Sequence, residues 1–340
     1  YLKKMAWKTI TMTNLSHPAP QFSTAEAENL GEQLFDVIGT ATPLDGERDR
    51  NYRLRTGTDA GWILKVVNST EPRVESEFQT AILSHLASCS PELAVPFLKK
   101  SLAGDFLAST VAPSGETHAV RLVGWLHGTP LAEVPRTFEL MRSLGQSFAE
   151  VDRALQGFIH PGAVRDLDWD LRHAARSRSR LHFVKDADKR AILERFIDRF
   201  ERTVQPKLAR LRTQVIHNDG NDWNILVDSC NHQKVSGIID FGDAVHTILI
   251  AEVAITCAYS ILDMEDPIGA AAALTAGFHE KYPLHPEEVD VLFNLIAMRL
   301  VTSVTLSALR YGQTQDNPYL AISEAPAWRL LERMDRMNPR

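Results

Sequence analysis

The chain has 340 residues, 44% apolar and 24% charged, with a net charge of −6. That length allows a large core and two lobes, and the composition is that of a soluble globular protein. The acidic balance argues against a nucleic-acid-binding surface, and the lack of a run of about 18 apolar residues argues against a membrane span. Cys89, Cys230 and Cys257 lack metal-ligand spacing and read as free thiols of a reducing, cytoplasmic compartment.

Residues 1–20 have no apolar h-region and read as a poorly ordered lead or vector remnant, not a secretory signal. Ser23 or Thr24 caps an expected helix from Ala25 to Phe35. The polar stretch Leu44 to Asn51 is a turn. Tyr52–Arg55 and Trp62–Val67 are strands joined by the loop Thr56–Gly61. Residues 72–88 form a helix with Phe78, Ile82, Leu83 and Leu86 on one stripe. Phe106–Val111 and His118–Val123 are two more strands. Together, residues 21–124 read as a small, mostly antiparallel nucleotide-binding lobe with one main helix.

Trp125–Pro130 is a link, and from there to residue 340 the pattern turns helical. Phe138, Met141, Leu144, Phe148, Val151 and Leu155 keep helical spacing, as do Ile192, Phe196, Phe200 and Leu208. Pro206 marks a break. Further helices are expected at 251–263, 267–281, 286–310 and 325–337. The fold class is therefore α+β and bilobal, with a larger helical C-terminal lobe.

Residues 217–243 interrupt this helical pattern with the densest chemistry in the chain. His217-Asn218-Asp219 and Asn224 spell H-x-D-x-x-x-x-N, and Asp240-Phe241-Gly242-Asp243 follows. The apolar runs Ile225–Val227 and Val235–Ile239 make a hairpin that carries Asp219, Asn224 and Asp240 to one end of a small sheet. Phosphoryl transfer from a nucleotide needs such a set. One carboxylate orients the attacking hydroxyl, and an amide oxygen and a second carboxylate hold Mg2+ against the phosphates. Asp219 is thus the candidate catalytic base, and Asn224 and Asp240 the candidate metal ligands. A turn aspartate or a strand-end cap would use the same residue types singly, without this spacing.

Lys65 sits inside an apolar strand and either snorkels to the edge or pairs with an anion such as a nucleotide phosphate. Glu77, and second Glu75, are its expected helical partners. Arg48 and Asn51 lie in a turn able to drape over phosphates, although no G-x-G-x-x-G or G-x-x-x-x-G-K-[ST] pattern is present. His217 reads as a residue that packs and holds the loop. The absence of G-x-S-x-G and H-E-x-x-H gives hydrolase readings little support.

The H-x-D-x-x-x-x-N segment, the Asp240-Phe241-Gly242 motif and the placement of Lys65 resemble the aminoglycoside phosphotransferase and choline-kinase-like superfamily. Within it, the chain is most similar to hydroxylysine kinases and to bacterial kinase domains fused to class III aminotransferase-like enzymes. The likeness spans about residues 25–337 and includes Gly46–Tyr52, Trp169–Leu171, Ala251–Thr256, Asn317–Leu320 and Trp328. It implies a bilobal protein-kinase-like fold and transfer of a phosphoryl group from ATP or GTP to an amino-alcohol hydroxyl. It also implies hinge backbone around Val123 and Trp125 holding the base, and a pyridoxal-phosphate lyase acting downstream.

Asn218 stands where the superfamily usually has glycine, and asparagine tolerates a left-handed backbone. For a cationic amine, Asp243, Trp223, Asp222 and Trp169 are candidate substrate contacts, each equally able to be core, cap or surface. Homoserine, choline, ethanolamine and aminoglycoside kinases share this fold and stay open as alternatives. A protein kinase is disfavoured, because about ten residues separate Asp240-Phe241-Gly242 from the next helix and no A-P-E follows. A nucleotide-binding pseudokinase scaffold would normally have lost the lysine, the base or a metal ligand, and here all are present.

Overall fold

The computed structural model describes residues 19–46, 48–57, 60–313 and 319–337. The expected N-terminal lead through residue 18, Glu47 of the turn, Thr58 and Asp59 of the hairpin loop, and Asn317-Pro318 lie outside the described residues.

The N-terminal lobe opens with α1 (Thr24–Phe35). Ser23 caps it through a reciprocal capping box with Glu26. Six strands follow: β1 (Thr40–Leu44), β2 (Arg50–Thr56), β3 (Ala60–Val66), β4 (Leu98–Lys99), β5 (Ala108–Val111) and β6 (Thr117–Gly124). They pair antiparallel in the order β1-β2-β3-β6-β4, with β5 also on β6. β1 ends on Leu44, the first residue of the expected turn. It contains Pro43 and lies at the sheet edge, where a missing N–H is tolerated.

α2 (Arg73–Cys89) follows β3. Its stripe of Phe78, Ile82, Leu83 and Leu86 is buried as expected. Those residues join the large core of the C-terminal lobe, whereas α1 and the sheet share a separate cluster around Tyr52, Leu54, Leu64 and Leu122.

The C-terminal lobe contains β7 (Thr129–Pro130), α3 (Phe138–Ala154), α4 (Ala187–Arg199), β8 (Thr213–Ile216), β9 (Ile225–Val227), β10 (Val235–Ile238), β11 (Val245–Ile248), α5 (Ile250–Ser260), α6 (Pro267–Lys281), α7 (Pro286–Gln313) and α8 (Tyr319–Arg336). The expected hairpin is β9–β10, extended by β7. β8 pairs with β11, a contact that sequence reading missed because its two short strands flank the whole catalytic segment. Residues 286–310 do have the length and hydropathy of a membrane span, contrary to the reading above. Their most apolar window is 83% buried within the fold, so this hydropathy serves the core.

α3 and α6 cross where two glycines meet backbone. A Cβ on Gly145 would lie 1.9 Å from the Leu274 carbonyl oxygen, and one on Gly277 would lie 2.1 Å from that of Arg142. Alanine would gain about 1 kcal/mol of helix propensity but force the helices apart, an overpacking cost of about 1–3 kcal/mol or more. Gly145→Ala is therefore expected to lower the unfolding midpoint in chemical denaturation, and a midpoint at or above wild type would refute this packing account.

Candidate active site

The β8–β11 ladder holds both ends of the segment 217–243. Within it, His217 is fully buried against Phe241 and Phe148. Its Nε2 donates to the Ile239 carbonyl at 3.0 Å, and its Nδ1 accepts the Asp219 amide at 3.2 Å. These roles assign a neutral tautomer, and burial lowers its pKa in keeping. Asn218 adopts the left-handed conformation with φ of 64°. Its amide donates to Glu252 of α5 at 3.1 Å, and its side chain donates to the Asp243 carbonyl at 3.2 Å.

Glu252 thus does more than favour a helix dipole: it is a buried anchor for the loop. Burial pushes its carboxyl up to about 7, against the amides of Asn218 and His217, which favour the anion. Asp152 of α3 is also fully buried, with neither carboxylate oxygen hydrogen-bonded to protein. Burial, then the neighbouring Glu252, raises it well above the usual carboxylate range. Each acid thus disfavours ionisation of the other.

Asp219 and Asn224 meet directly. The Asn224 Nδ2 donates to Asp219 Oδ2 at 2.7 Å and to the Asp219 carbonyl at 3.1 Å. The Asn224 Oδ1 is thereby turned away from the carboxylate. Asn221, which sequence reading passed over, shapes the turn by accepting the amides of Trp223 and Asn224. Asp240 has φ of 62° and accepts the Gly242 amide at 3.2 Å. Asn224 and Asp240 both line a cavity of about 340 Å³ between the lobes. An amide oxygen and a carboxylate are the hard donors that Mg2+ takes, so these two could hold a divalent cation while phosphates and water fill the other positions.

Lys65, Asn51, Val123 and Trp125 line the same cavity. Lys65 pairs with Asp49 at 3.0 Å and with Asp240 at 3.8 Å. The expected Lys65–Glu77 pair is corrected: Glu77 is 46% exposed and bonds to Arg73 one turn earlier. Glu75 pairs with Arg165 at 2.5 Å, and Arg165 donates to the carbonyls of Gly242 and Ala244. Both glutamates answer to cations nearer than Lys65. The hinge is also refined. The Gly124 amide is taken by the Phe97 carbonyl and that of Trp125 by the Gly61 carbonyl, so these two amides are already bonded within the protein.

Arg48 is half-buried, with Asp243 and Asp49 as its main attractive charges. Asp243 is buried and electrostatically coupled to Asp219. Trp223 lines the cavity. Asp222 is instead a structural clamp: it pairs with Arg136 at 2.7 Å, and Arg136 also donates to the carbonyls of Tyr259, Ser260 and Leu262. Trp169 is core, packed on Leu306 and Leu309.

Trp169 leads to Arg299, which sequence reading missed because it lies within the apolar run of α7. Arg299 is 1% exposed, stacks on Trp169 and Tyr259, and reaches Asp219 Oδ1 at 3.5 Å. Burial and then Asp243 raise the Asp219 pKa, while Arg299 pulls it down.

A match to the phosphotransferase enzyme family covers residues 40–290. The chain belongs to that family. It is 30% identical to a hydroxylysine kinase of Xenopus laevis over 95% of this chain and 92% of that protein. It is also 30% identical to one of Bos taurus over 94% and 91%. Its fold matches a microcompartment-associated aminopropanol kinase with a TM-score of 0.70, at 19% identity, over 92% of this chain and 97% of that one. It also matches an amicoumacin kinase in complex with AMP-PNP, Ca2+ and Ami, with a TM-score of 0.69, at 13% identity, over 94% and 95%. The protein is a bilobal, nucleotide-dependent kinase that phosphorylates a hydroxyl group.

Two pH effects follow from the buried charges. Arg299→Met removes the cation that lowers the Asp219 pKa, so the acidic limb of the kcat/KM profile should move to higher pH, with a smaller shift for Arg299→Lys; an unmoved limb in both would exclude the coupling. Asp152 holds a proton in the folded state that the unfolded chain releases, so it withdraws stability as pH rises above its ordinary value of 3.8. Asp152→Asn should therefore lose less unfolding free energy than wild type between about pH 5 and 8 in denaturant titrations.

Proposed function

We propose that the protein transfers the γ-phosphoryl group of ATP or GTP, with Mg2+, to the hydroxyl of a small amino alcohol, with hydroxylysine the leading substrate. The observation that carries this reading is the convergence of Asn224, Asp240 and Lys65 on one cavity, with Asp219 bonded directly to Asn224 at its edge. The hydroxylysine kinase relatives, which match over nearly the whole chain, support the substrate.

Asp219 would accept the hydroxyl proton. A carboxylate raised by burial and by Asp243 is a better base than an exposed one, and Arg299 limits that rise. Asn224 fixes its orientation. Asn224 and Asp240 would hold the cation, which when bound offsets negative charge on the phosphates. Lys65 would bind phosphate oxygens from the opposite lobe. Asp243 and the Trp223 ring offer a carboxylate and an aromatic face to a substrate ammonium. The O-phosphorylated amino alcohol is suited to elimination by a pyridoxal-phosphate lyase, the class of enzyme we expect downstream.

The test is phosphate transfer from ATP and GTP across 5-hydroxylysine, homoserine, ethanolamine, choline, aminopropanol and aminoglycosides. Saturable turnover on 5-hydroxylysine is expected. Preference for an aminoglycoside would replace the substrate and keep the reaction. Asp219→Ala should lower kcat by about 10²–10⁴-fold while nucleotide still binds; near wild-type turnover in that variant would remove Asp219 from the role of base.

A further inference from the structure

A lysine that binds phosphate must be held in one place, because a mobile four-carbon side chain spreads its charge over many positions. Among the described residues, the carboxylate that holds Lys65 does not come from α2. We propose that Asp49, on the turn between β1 and β2, is the positioning residue for Lys65, so that this turn and the lysine are set as one unit. The inference rests on reading Lys65 as the phosphate-binding lysine.

Asp49 is 6% exposed and its Oδ2 lies 3.0 Å from Lys65 Nζ. Its Oδ1 accepts the amide of Asn68, just past the end of β3, at 3.0 Å. Two bonds therefore tie the turn to the strand that carries the lysine. Asn51, two residues further on, pairs across the β2–β3 ladder with Lys65 itself. Burial would raise the Asp49 pKa, but Lys65, Arg48 and the Asn68 amide hold it down to about 2. Its surroundings therefore favour the anion.

α2 has no equivalent to offer. Its apolar face belongs to the C-terminal core, and Glu75 and Glu77 are committed to Arg165 and Arg73. Its buried polar position toward the sheet is Gln79, which accepts a hydrogen bond from Arg121. Arg121 is the cross-strand neighbour of Lys65 and lines the cavity. A neutral glutamine satisfies that guanidinium without competing for Lys65. The line Asp49–Lys65–Asp240 then runs from the turn to the candidate cation ligand.

The decisive experiment is a double-mutant cycle in the full chain with Asp49→Asn, Lys65→Met and both together. Binding of magnesium AMP-PNP is measured by calorimetry, with folding checked by circular dichroism. Asp49→Asn should weaken binding on its own, yet cost less than about threefold in the Lys65→Met background, because it acts through the lysine. In turnover, Asp49→Asn should lower kcat/KM for nucleotide by up to about 100-fold. The acceptor KM should change by less than about twofold, and Asp49→Glu should recover part of the loss.

A full Asp49→Asn cost in the Lys65→Met background would make Asp49 merely structural and overturn the proposal. So would wild-type binding in Asp49→Asn, or an equal loss in Glu77→Gln. If Asp49→Asn does not fold, the same cycle with Asp49→Glu decides by the same criteria. The cycle reads nucleotide binding alone, so a silent acceptor panel would count against the amino-alcohol reading and leave this one standing.

Discussion

Everything at this site depends on a loop held from below by a buried carboxylate. Glu252 accepts the Asn218 amide at 3.1 Å, with no water-exposed surface of its own. In a low dielectric, such a bond to a buried carboxyl is strong, and an unpaired alternative is costly. His217 adds two bonds and two ring contacts from the same side. The loop can therefore present Asp219 and Asn224 in one fixed geometry, which is what in-line transfer requires. The left-handed Asn218 is the local strain this arrangement carries.

That geometry gathers acids that repel one another. Asp219, Asp240 and Asp243 lie close enough to raise the Asp219 pKa. Arg299 beneath and Lys65 across the cavity offset part of this charge. The remaining negative field is an asset for a site that takes a metal cation and an amine. It also accounts for a buried arginine within the apolar run of α7: Arg299 is the cation that opposes the rise of the Asp219 pKa.

α2 belongs energetically to the lobe it does not begin in. Phe78, Ile82 and Leu86 pack into the C-terminal core, and Glu75 reaches the Gly242 segment through Arg165. The helix therefore braces the candidate cation-binding segment, while the sheet and its turn hold the nucleotide lysine. This division of labour differs from the expected lysine–glutamate pair, and the difference arises from which face of α2 is apolar.

The spacing of Asp219, Asn224 and Asp240 was legible because a hairpin between apolar runs leaves few places for three polar residues to converge. The bilobal architecture was legible in the switch from period 2 to period 3.6 near Trp125. The partner of Glu77 was not legible, and for Asp222 and Trp169 several roles stayed open, because a charged or aromatic residue does not announce its partner: Arg73, Arg136 and Leu306 were available, and short local or buried contacts won. Sequence by itself determined the element types and the chemical groups along the chain, since those follow from local periodicity and side-chain identity. Only the tertiary structure decided that Asp49 meets Lys65, that Arg299 meets Asp219 and that β8 pairs with β11, because each joins segments whose approach is set by packing of the whole core.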